Sequence, residues 1–152
     1  MSYVEENLIP GEKVLYQATI HWIIFIPGII FVIIGGLFFL VTQNYLTLVL
    51  IPLGGLMLLK SYIQRKTTEF AVTSKRIIAK IGWVSRAAFD MSHNKIESIL
   101  MEQTVTGRIL NYGTLLVHGT GSGIEAIGNI EDPLTFRKTA LAAIEEGKSR
   151  QS

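Results

Sequence analysis

The sequence predicts a two-helix transmembrane hairpin followed by a small antiparallel β domain that is capped by one C-terminal helix. Three observations lead to this fold class. Only 17% of the 152 residues are charged and the mean hydropathy is +0.39, whereas soluble domains carry about 25% charged residues. Residues 14–59 contain no charged residue at all. Beyond residue 67 the apolar residues fall in short runs with the spacing of β-strands.

The charge-free stretch divides into two apolar helices. Residues 22–41 are almost wholly apolar, and at about 1.5 Å per residue such a run spans roughly 30 Å, the thickness of the hydrocarbon core. Residues 42–44 form a polar break, and a second apolar run covers residues 45–63. A soluble chain of this size lacks the residues to cover two such helices. We therefore predict a transmembrane hairpin over residues 22–63, preceded by an N-terminal segment, residues 1–21.

The distribution of basic residues predicts the orientation of the hairpin. The turn at residues 42–44 carries none, whereas Lys and Arg are frequent after the second helix. By the positive-inside rule, both termini are cytoplasmic and the protein is a multi-pass protein of the inner (cell) membrane. The segment before the first helix is acidic and lacks the basic start of a signal peptide, so we expect the first helix to be retained rather than cleaved.

Five glycines are the predicted packing positions of the hairpin: Gly28, Gly35, Gly36, Gly54 and Gly55. Small residues let the backbones of transmembrane helices approach closely, although glycine is also common in such helices without this role. No ionisable residue falls at mid-membrane depth in the sequence. The hairpin is therefore interpreted as an anchor rather than an ion path.

Residues 65–147 are predicted to form a cytoplasmic β domain, a small antiparallel sandwich or barrel, because the short strands follow one another at close spacing. Alternating or β-branched runs predict strands at residues 68–73, 77–81, 87–91, 96–103, 114–118 and 124–130. Asp132 and Pro133 are typical of a helix start, and the helix that follows has an apolar stripe of Phe136, Ala140, Ala143 and Ile144. Gly147 is predicted to end this helix, and residues 148–152 form a polar tail.

Two surfaces of the predicted domain are candidate binding sites. A cluster of basic residues is predicted to face anionic lipid headgroups: Lys66, Lys75, Arg76, Lys80 and Arg86. The same excess of basic residues would also follow from positive-inside topology alone. The strand at residues 96–103 carries apolar residues on both faces. Ile99, Leu100 and Met101 are therefore predicted interface residues, the alternative being that the terminal helix covers them.

The sequence contains no catalytic constellation, metal-ligand spacing or cofactor motif. It has no cysteine, which excludes disulfides and thiolate sites. His21, His93 and His118 are not paired with carboxylates and are interpreted as interfacial or surface residues. Basic and aromatic residues are not interleaved, so no nucleic-acid partner is predicted. We expect a protein that is not an enzyme and holds no cofactor or metal.

An ordered set of short motifs covers nearly the whole chain: Leu8-x-Pro10-Gly11-Glu12, His21-Trp22, Glu69-x-x-Val72-Thr73-x-x-Arg76-Ile77-Ile78, Gly82-Trp83, Asn94-Lys95-Ile96-x-Ser98-Ile99, Gln103, Gly107-Arg108-Ile109-Leu110-x-Tyr112-Gly113-Thr114, Val117-x-Gly119-Thr120-Gly121 and Asp132-Pro133. In this order they resemble the bacterial PH domain family, which includes the YdbS/YdbT-like membrane proteins. The resemblance implies a PH-like fold of seven strands with a C-terminal helix on a membrane anchor. It implies no established ligand. It also places Lys75 and Arg76 in the first hairpin, the position of the phosphate-binding loop in lipid-binding PH domains.

Three functions follow as hypotheses. The leading one is a non-enzymatic, membrane-anchored PH-like interaction or assembly module at the cytoplasmic face of the bacterial inner membrane, with a second copy of the chain or another protein as partner. The alternative is a binder of anionic lipid headgroups through a basic juxtamembrane face. An accessory subunit of an enzyme or transporter is the least favoured, because the sequence offers neither a pair of ionisable residues in a pocket nor one inside the membrane.

Overall fold

The chain folds as two compact units in a computed structural model, which describes residue 4 and residues 7–81, 87–121 and 123–149. One unit comprises Trp22–Lys66, and the other comprises Met1–His21 together with Thr67–Ser152. The first unit is thus an insertion within the sequence of the second.

The inserted unit consists of two helices joined by a tight turn. The elements are a 3-10 turn Trp22–Phe25, helix α1 Ile26–Thr42, a 3-10 turn Tyr45–Val49 and helix α2 Leu50–Thr67. Gln43 ends α1 in the left-handed conformation, with φ at 50°, and its N–H donates to the Phe39 carbonyl over 2.9 Å. The Asn44 Oδ1 accepts from the Leu46 N–H at 3.0 Å, which starts the second helical segment. The predicted polar break is therefore the turn of the hairpin.

The other unit contains seven strands in two antiparallel sheets: β1 Val14–Ala18, β2 Glu69–Thr73, β3 Arg76–Ile81, β4 Ala87–Ser92, β5 Ile96–Glu102, β6 Tyr112–Gly119 and β7 Gly123–Glu131. The first sheet has the order β1-β2-β3-β4 and the second the order β5-β6-β7. A short helix, α3 Val105–Leu110, connects β5 to β6, and helix α4 Pro133–Ser149 follows β7.

Strand β1 lies in the N-terminal segment, where sequence analysis predicted no strand. It pairs with β2, Ala18 opposite Phe70 and Gln17 opposite Ala71. A strand of five residues has little local pattern, and β1 is defined by a partner that lies beyond the hairpin in sequence. With the six strands predicted after the hairpin, β1 completes the seven that the family resemblance implies.

Backbone bonds between the residues after β1 and strand β7 join the two sheets at one corner. Ile20 forms an isolated antiparallel bridge with Ile130, and the His21 N–H donates to the Asn129 carbonyl over 2.8 Å. The residues just before the hairpin are therefore fixed to the second sheet as well as the first.

The His21 side chain is buried, and its ring stacks on that of Tyr112 with the centroids 5.2 Å apart. The interpretation of His21 as an interfacial residue was therefore wrong. The imidazole is a packing residue between the segment after β1 and the start of β6.

Buried aliphatic and aromatic residues of both sheets and of α4 form the core. The largest fully buried members are Phe70, Ile77, Leu115, Val117, Ile127, Ile130 and Phe136. Ala71 and Ile78 point to the opposite face of the first sheet, because side chains alternate along a strand. There they pack against Val4, with Leu8 and Val14 beside it. The N-terminal segment thus covers the outer face of the first sheet.

Helix α4 confirms the predicted apolar stripe, since Phe136, Ala140, Ala143 and Ile144 are all buried. The predicted end at Gly147 was wrong, because the helix continues to Ser149. Gly147 keeps a negative φ and lies close to the His93 ring, with the Nδ1 atom 4.0 Å from the position of a Cβ. A side chain at this position would make only ordinary van der Waals contact, so Gly147 neither ends the helix nor is required by close packing.

Helix α3 was not predicted. Thr104 caps its start, because the Oγ1 atom accepts from the Gly107 N–H at 3.0 Å. Asn111 ends it in the left-handed conformation, with φ at 57°. With six residues, α3 is too short to show a helical period in its sequence.

Candidate functional site

The two hairpin helices are long and apolar enough to cross a membrane, at 21 and 23 residues including their 3-10 turns. Of the twenty-five large hydrophobic residues exposed in the described part of the chain, seventeen lie between Trp22 and Tyr62. They include Leu37, Leu40, Val41, Leu46 and Leu56, each more than half exposed. The helices therefore present apolar side chains outward along their length.

Three of the five predicted packing glycines lie at the contact between the helices. A Cβ on Gly54 would lie 2.8 Å from the Gly28 carbonyl oxygen and 2.7 Å from a Val32 methyl, and a Cβ on Gly28 would lie 2.8 Å from Leu58. A Cβ on Gly35 would lie 2.8 Å from Leu50. Close backbone approach therefore requires glycine at these positions.

The other two glycines do not face the partner helix, and their assignment to the packing surface was wrong. A Cβ on Gly36 or on Gly55 would meet nothing within 4 Å. Each follows a packing glycine directly in sequence. Successive residues of a helix are rotated by about 100°, so the second glycine of each pair points away from the partner helix.

The predicted headgroup residues that the structure describes differ in their exposure and in their contacts. Lys66 is exposed near the end of α2, and Lys75 is exposed at the turn between β2 and β3. Lys80 is half-buried near the end of β3, opposite Glu69 of β2. Arg86, like the Gly82-Trp83 motif, lies outside the described residues.

Arg76 is engaged in a largely buried polar network rather than exposed to a ligand. Its Nε donates to the Glu12 Oε1 at 3.1 Å, its Nη1 to the Asp90 Oδ2 at 2.6 Å and its Nη2 to the Asn7 carbonyl at 2.7 Å. The side chain is only 14% exposed and that of Glu12 is fully buried. The assignment of Arg76 to a headgroup site was therefore wrong, because its donors are used to hold the N-terminal segment on the first sheet.

Glu12 is the buried acceptor at the centre of this network. Its carboxylate also accepts from the Thr73 hydroxyl at 2.6 Å and from the Ile9 N–H at 2.8 Å. Burial acts to raise the pKa of Glu12, but the hydrogen bonds from Thr73, Ile9 and Arg76 outweigh it, so the pKa lies below its usual value. In the sequence, Glu12 was noted only as part of a family motif. Its local signal is its position directly after Pro10-Gly11, where a turn is expected.

The position of Lys75 and Arg76 in the topology also differs from the expectation. The connection between β1 and β2 is the helical hairpin itself, so the turn with Lys75 is the second strand connection and not the first. The hairpin joins the first sheet at the end of β1 and the start of β2, whereas Lys75 follows the end of β2. The turn therefore lies at the opposite end of the sheet from the hairpin junction.

The apolar trio of β5 is divided between the two faces of the second sheet. Ile99 is 2% exposed and belongs to the core, so its assignment to an interface was wrong. Leu100 is 49% exposed on the outer face, opposite Leu116 of β6, and Met101 is half-buried. Ile124 of β7 is also exposed on this sheet. Leu100 is thus the member of the trio that points outward.

A cavity of about 520 Å³ lies where the β2–β3 turn, the residues after β4 and the end of α4 meet. Lys13, Lys75 and Lys148 line it together with His93 and Glu146. His93 is buried, which corrects its interpretation as a surface residue, and burial lowers the pKa of its imidazole despite nearby carbonyls. No group of three metal-ligating side chains occurs within the described residues.

The comparisons with known proteins agree with this fold. A family model described as "Bacterial PH domain" matches residues 23–144. A search of curated proteins found no significant match.

Two solved structures are similar in fold. A DUF1696-family protein with a pleckstrin-homology domain, from Shewanella loihica PV-4, aligns with a TM-score of 0.50 and 9% identity, over 93% of this chain and 89% of that one. The Vps36 N-terminal PH domain aligns with a TM-score of 0.47 and 11% identity, over 93% and 86%, and is too distant to inform the fold or function. The first similarity confirms the PH-like fold. The family model matches most of the chain, and this match identifies the chain as a member of the bacterial PH domain family.

Proposed function

We propose that this chain is a non-enzymatic, membrane-anchored PH-like interaction module that assembles with itself at the cytoplasmic face of the bacterial inner membrane. The observation that carries the proposal is the place of the hairpin, which connects β1 to β2, two neighbouring strands of one sheet. Both ends of the anchor are therefore bound into the same domain. Such a domain is held at the membrane by two short connections rather than by a flexible linker.

The exposed apolar side chains of α1 and α2 support the anchoring role. A contiguous apolar surface of this extent is unfavourable in water and suited to lipid. The glycine contact accounts for how the two helices pack in a solvent that gives no hydrophobic drive for their association. Arg65 and Lys66 in the last turn of α2 support the cytoplasmic location of that end.

Cysteine labelling tests the anchoring and its orientation. The chain has no cysteine of its own, so Gln43→Cys and Ser149→Cys each introduce a unique thiol. We expect an impermeant thiol reagent added to spheroplasts to label position 43, at the hairpin turn, and not position 149. Position 149 should become reactive after the membrane is permeabilised. Labelling of position 149 alone before permeabilisation would invert the orientation.

The outer face of the second sheet supports the assembly role. Leu100, Leu116 and Ile124 lie on this face, whereas the edge of β5 is partly used, because the Arg137 Nε donates to the Ile99 carbonyl at 2.9 Å. We therefore assign the contact to the face of the sheet and not to its edge. Copies anchored in one membrane share an orientation and a high local concentration, which favours a symmetric contact between identical patches.

A charge at Leu100 tests the assembly. Leu100→Glu should shift the detergent-solubilised particle to a smaller mass, because it places a carboxylate in the apolar centre of the contact. Thr120→Glu, at the exposed β6–β7 turn, is the matched control and should leave the mass unchanged. Light scattering measures the mass, and circular dichroism verifies the fold. An unchanged mass for a folded Leu100→Glu variant would contradict this interface.

Binding of anionic headgroups through the predicted basic residues is the weaker candidate. Arg76 is already neutralised, and Lys75 lies at the end of the sheet away from the hairpin junction. The other two predicted headgroup residues that the structure describes are Lys66 and Lys80, fewer than the roughly 4–8 basic residues typical of lipid-binding segments.

A further inference from the structure

Helix α3 exposes an unusual concentration of apolar residues. Outside the hairpin, eight large hydrophobic residues are exposed among the described residues: Ile9, Leu15, Leu100, Val105, Ile109, Leu110, Ile124 and Leu134. Three of these eight belong to the six residues of α3, and Val105 and Ile109 are 78% and 77% exposed. Val105 and Ile109 are four residues apart and so lie on one face of the helix.

The exposed helix is held rigidly by its own polar contacts. The Gln103 side chain donates to the Tyr112 carbonyl at 3.0 Å, and the Thr106 and Tyr112 hydroxyls lie 3.1 Å apart. A Cβ at Gly107 would lie 2.6 Å from the Tyr112 carbonyl oxygen, so only glycine allows the turn to close. The local structure therefore fixes these apolar side chains in an outward position.

The location of α3 indicates what covers this face. Tyr112, which follows the helix, stacks on His21, and His21 is the residue immediately before the hairpin. The end of the domain that carries α3 is therefore the end from which the hairpin leaves the sheet. If the hairpin enters a bilayer at Trp22, its lipid headgroups lie at this end of the domain.

We propose that α3 inserts its apolar face into the interfacial region of the bilayer that holds the hairpin, an inference that rests on the proposed membrane anchoring. Arg108, exposed between Val105 and Ile109, can keep its guanidinium among the phosphates while its stem lies along the apolar region. Glu102 and Glu131 are exposed near the same end of the second sheet. The contact is therefore apolar in origin and does not require anionic lipid.

Single-cysteine fluorescence tests this contact in the full chain. Val105→Cys, Ile109→Cys and the control Thr120→Cys are each labelled with an environment-sensitive fluorophore and reconstituted in phosphatidylcholine vesicles. Thr120 is exposed at the opposite end of the second sheet. Labels at 105 and 109 should emit at shorter wavelength than the label at 120. They should also be quenched several-fold more strongly by lipids that carry a nitroxide near the headgroup.

A fourth variant, Leu40→Cys in the hairpin, separates failure of the anchor from failure of this contact. Quenching at 40 without quenching at 105 and 109 overturns the contact alone, whereas no quenching at 40 overturns the anchoring and the contact with it. A blue-shifted label at 109 that lipid does not quench indicates a protein surface, a second copy included, and overturns the lipid assignment. Equal quenching in vesicles with and without anionic lipid is expected, and a strict need for anionic lipid would overturn the apolar origin.

Discussion

Replacing Arg76 with methionine should destabilise the PH-like unit by about 3 kcal/mol. Removing one partner of a buried ion pair typically costs about 3–5 kcal/mol, because the other charge stays buried without a counter-charge. We expect the lower end of this range because the Arg76 side chain is 14% exposed, so water partly screens the ion pair. The substitution also removes the donor that holds the Asn7 carbonyl. Thermal unfolding of the solubilised full chain, followed by far-UV circular dichroism, measures the loss.

Two further variants show whether the loss arises from the buried carboxylate. Lys75→Met removes the neighbouring charge, whose Nζ donates to the Pro10 carbonyl at 3.3 Å, and should change the stability by less than about 0.5 kcal/mol. Arg76→Met combined with Glu12→Gln should recover part of the loss, because no charge is then left unpaired. A loss of the same size in Lys75→Met, or no loss in Arg76→Met, would contradict the role of the network.

The same network sets an acid limit on stability. The pKa of Glu12 is lower in the folded chain than its value of 4.5 in a model compound. Its contribution is therefore fully present above about pH 4.5 and is lost as the pH falls through the folded pKa. A pH series of the unfolding experiment should show this acid loss in the natural chain and a smaller one in Glu12→Gln.

Adding a methyl group at Gly54 and at the next residue should have opposite effects. In Gly54→Ala the Cβ would lie 2.8 Å from the Gly28 carbonyl oxygen and 2.9 Å from the Val32 backbone nitrogen. Backbone atoms cannot move aside without separating the helices, so we expect a loss of about 1–3 kcal/mol. In Gly55→Ala the Cβ meets nothing within 4 Å. Alanine is the better helix former, so we expect a gain of up to about 1 kcal/mol.

The pair of variants is compared in mixed micelles as the fraction of SDS is raised, because SDS separates packed transmembrane helices. Gly54→Ala should lose its compact hairpin at a lower SDS fraction than the natural chain, and Gly55→Ala at the same fraction or a higher one. The Gly35→Ala and Gly36→Ala pair offers the same comparison at a contact nearer the turn that joins the two helices. Equal behaviour within both pairs would exclude the glycine contact as the packing surface.

Elements with a strong local pattern were predictable from the sequence. These elements are the two apolar runs, the six strands after the hairpin and the apolar stripe of α4. In each of them, the pattern of apolar and polar residues within the element itself indicates which side chains are buried or face lipid. Strand β1 and helix α3 do not have such a pattern. Val14–Ala18 becomes a strand because β2 pairs with it, and Val105–Leu110 becomes a helix through caps at Thr104 and Asn111. The contact that defines β1 lies outside any local window of sequence, and α3 is too short to show a helical period although its caps are adjacent to it.

The candidate site was less predictable because a residue type does not reveal its partners. Arg76 and Lys75 are adjacent and both basic, yet one is used by Glu12 and Asp90 and the other is exposed. Gly54 and Gly55 are likewise identical in sequence terms and differ only in the direction of their missing side chains. For Ile99, Leu100 and Met101, the alternation of a strand indicated that neighbours point apart, but not which one faces the core.

The insertion of the hairpin between β1 and β2 imposes an order of events on biosynthesis. Strand β1 is translated first but can pair only when Phe70 and Ala71 have been made, after both helices. Until then it presents an unpaired edge near the ribosome, and long-range pairing of this kind forms slowly. Both helices of the hairpin must therefore be made before the first sheet can close. Closure of the first sheet therefore marks the completion of both helices, and any delay between them prolongs the time for which the edge of β1 is unpaired.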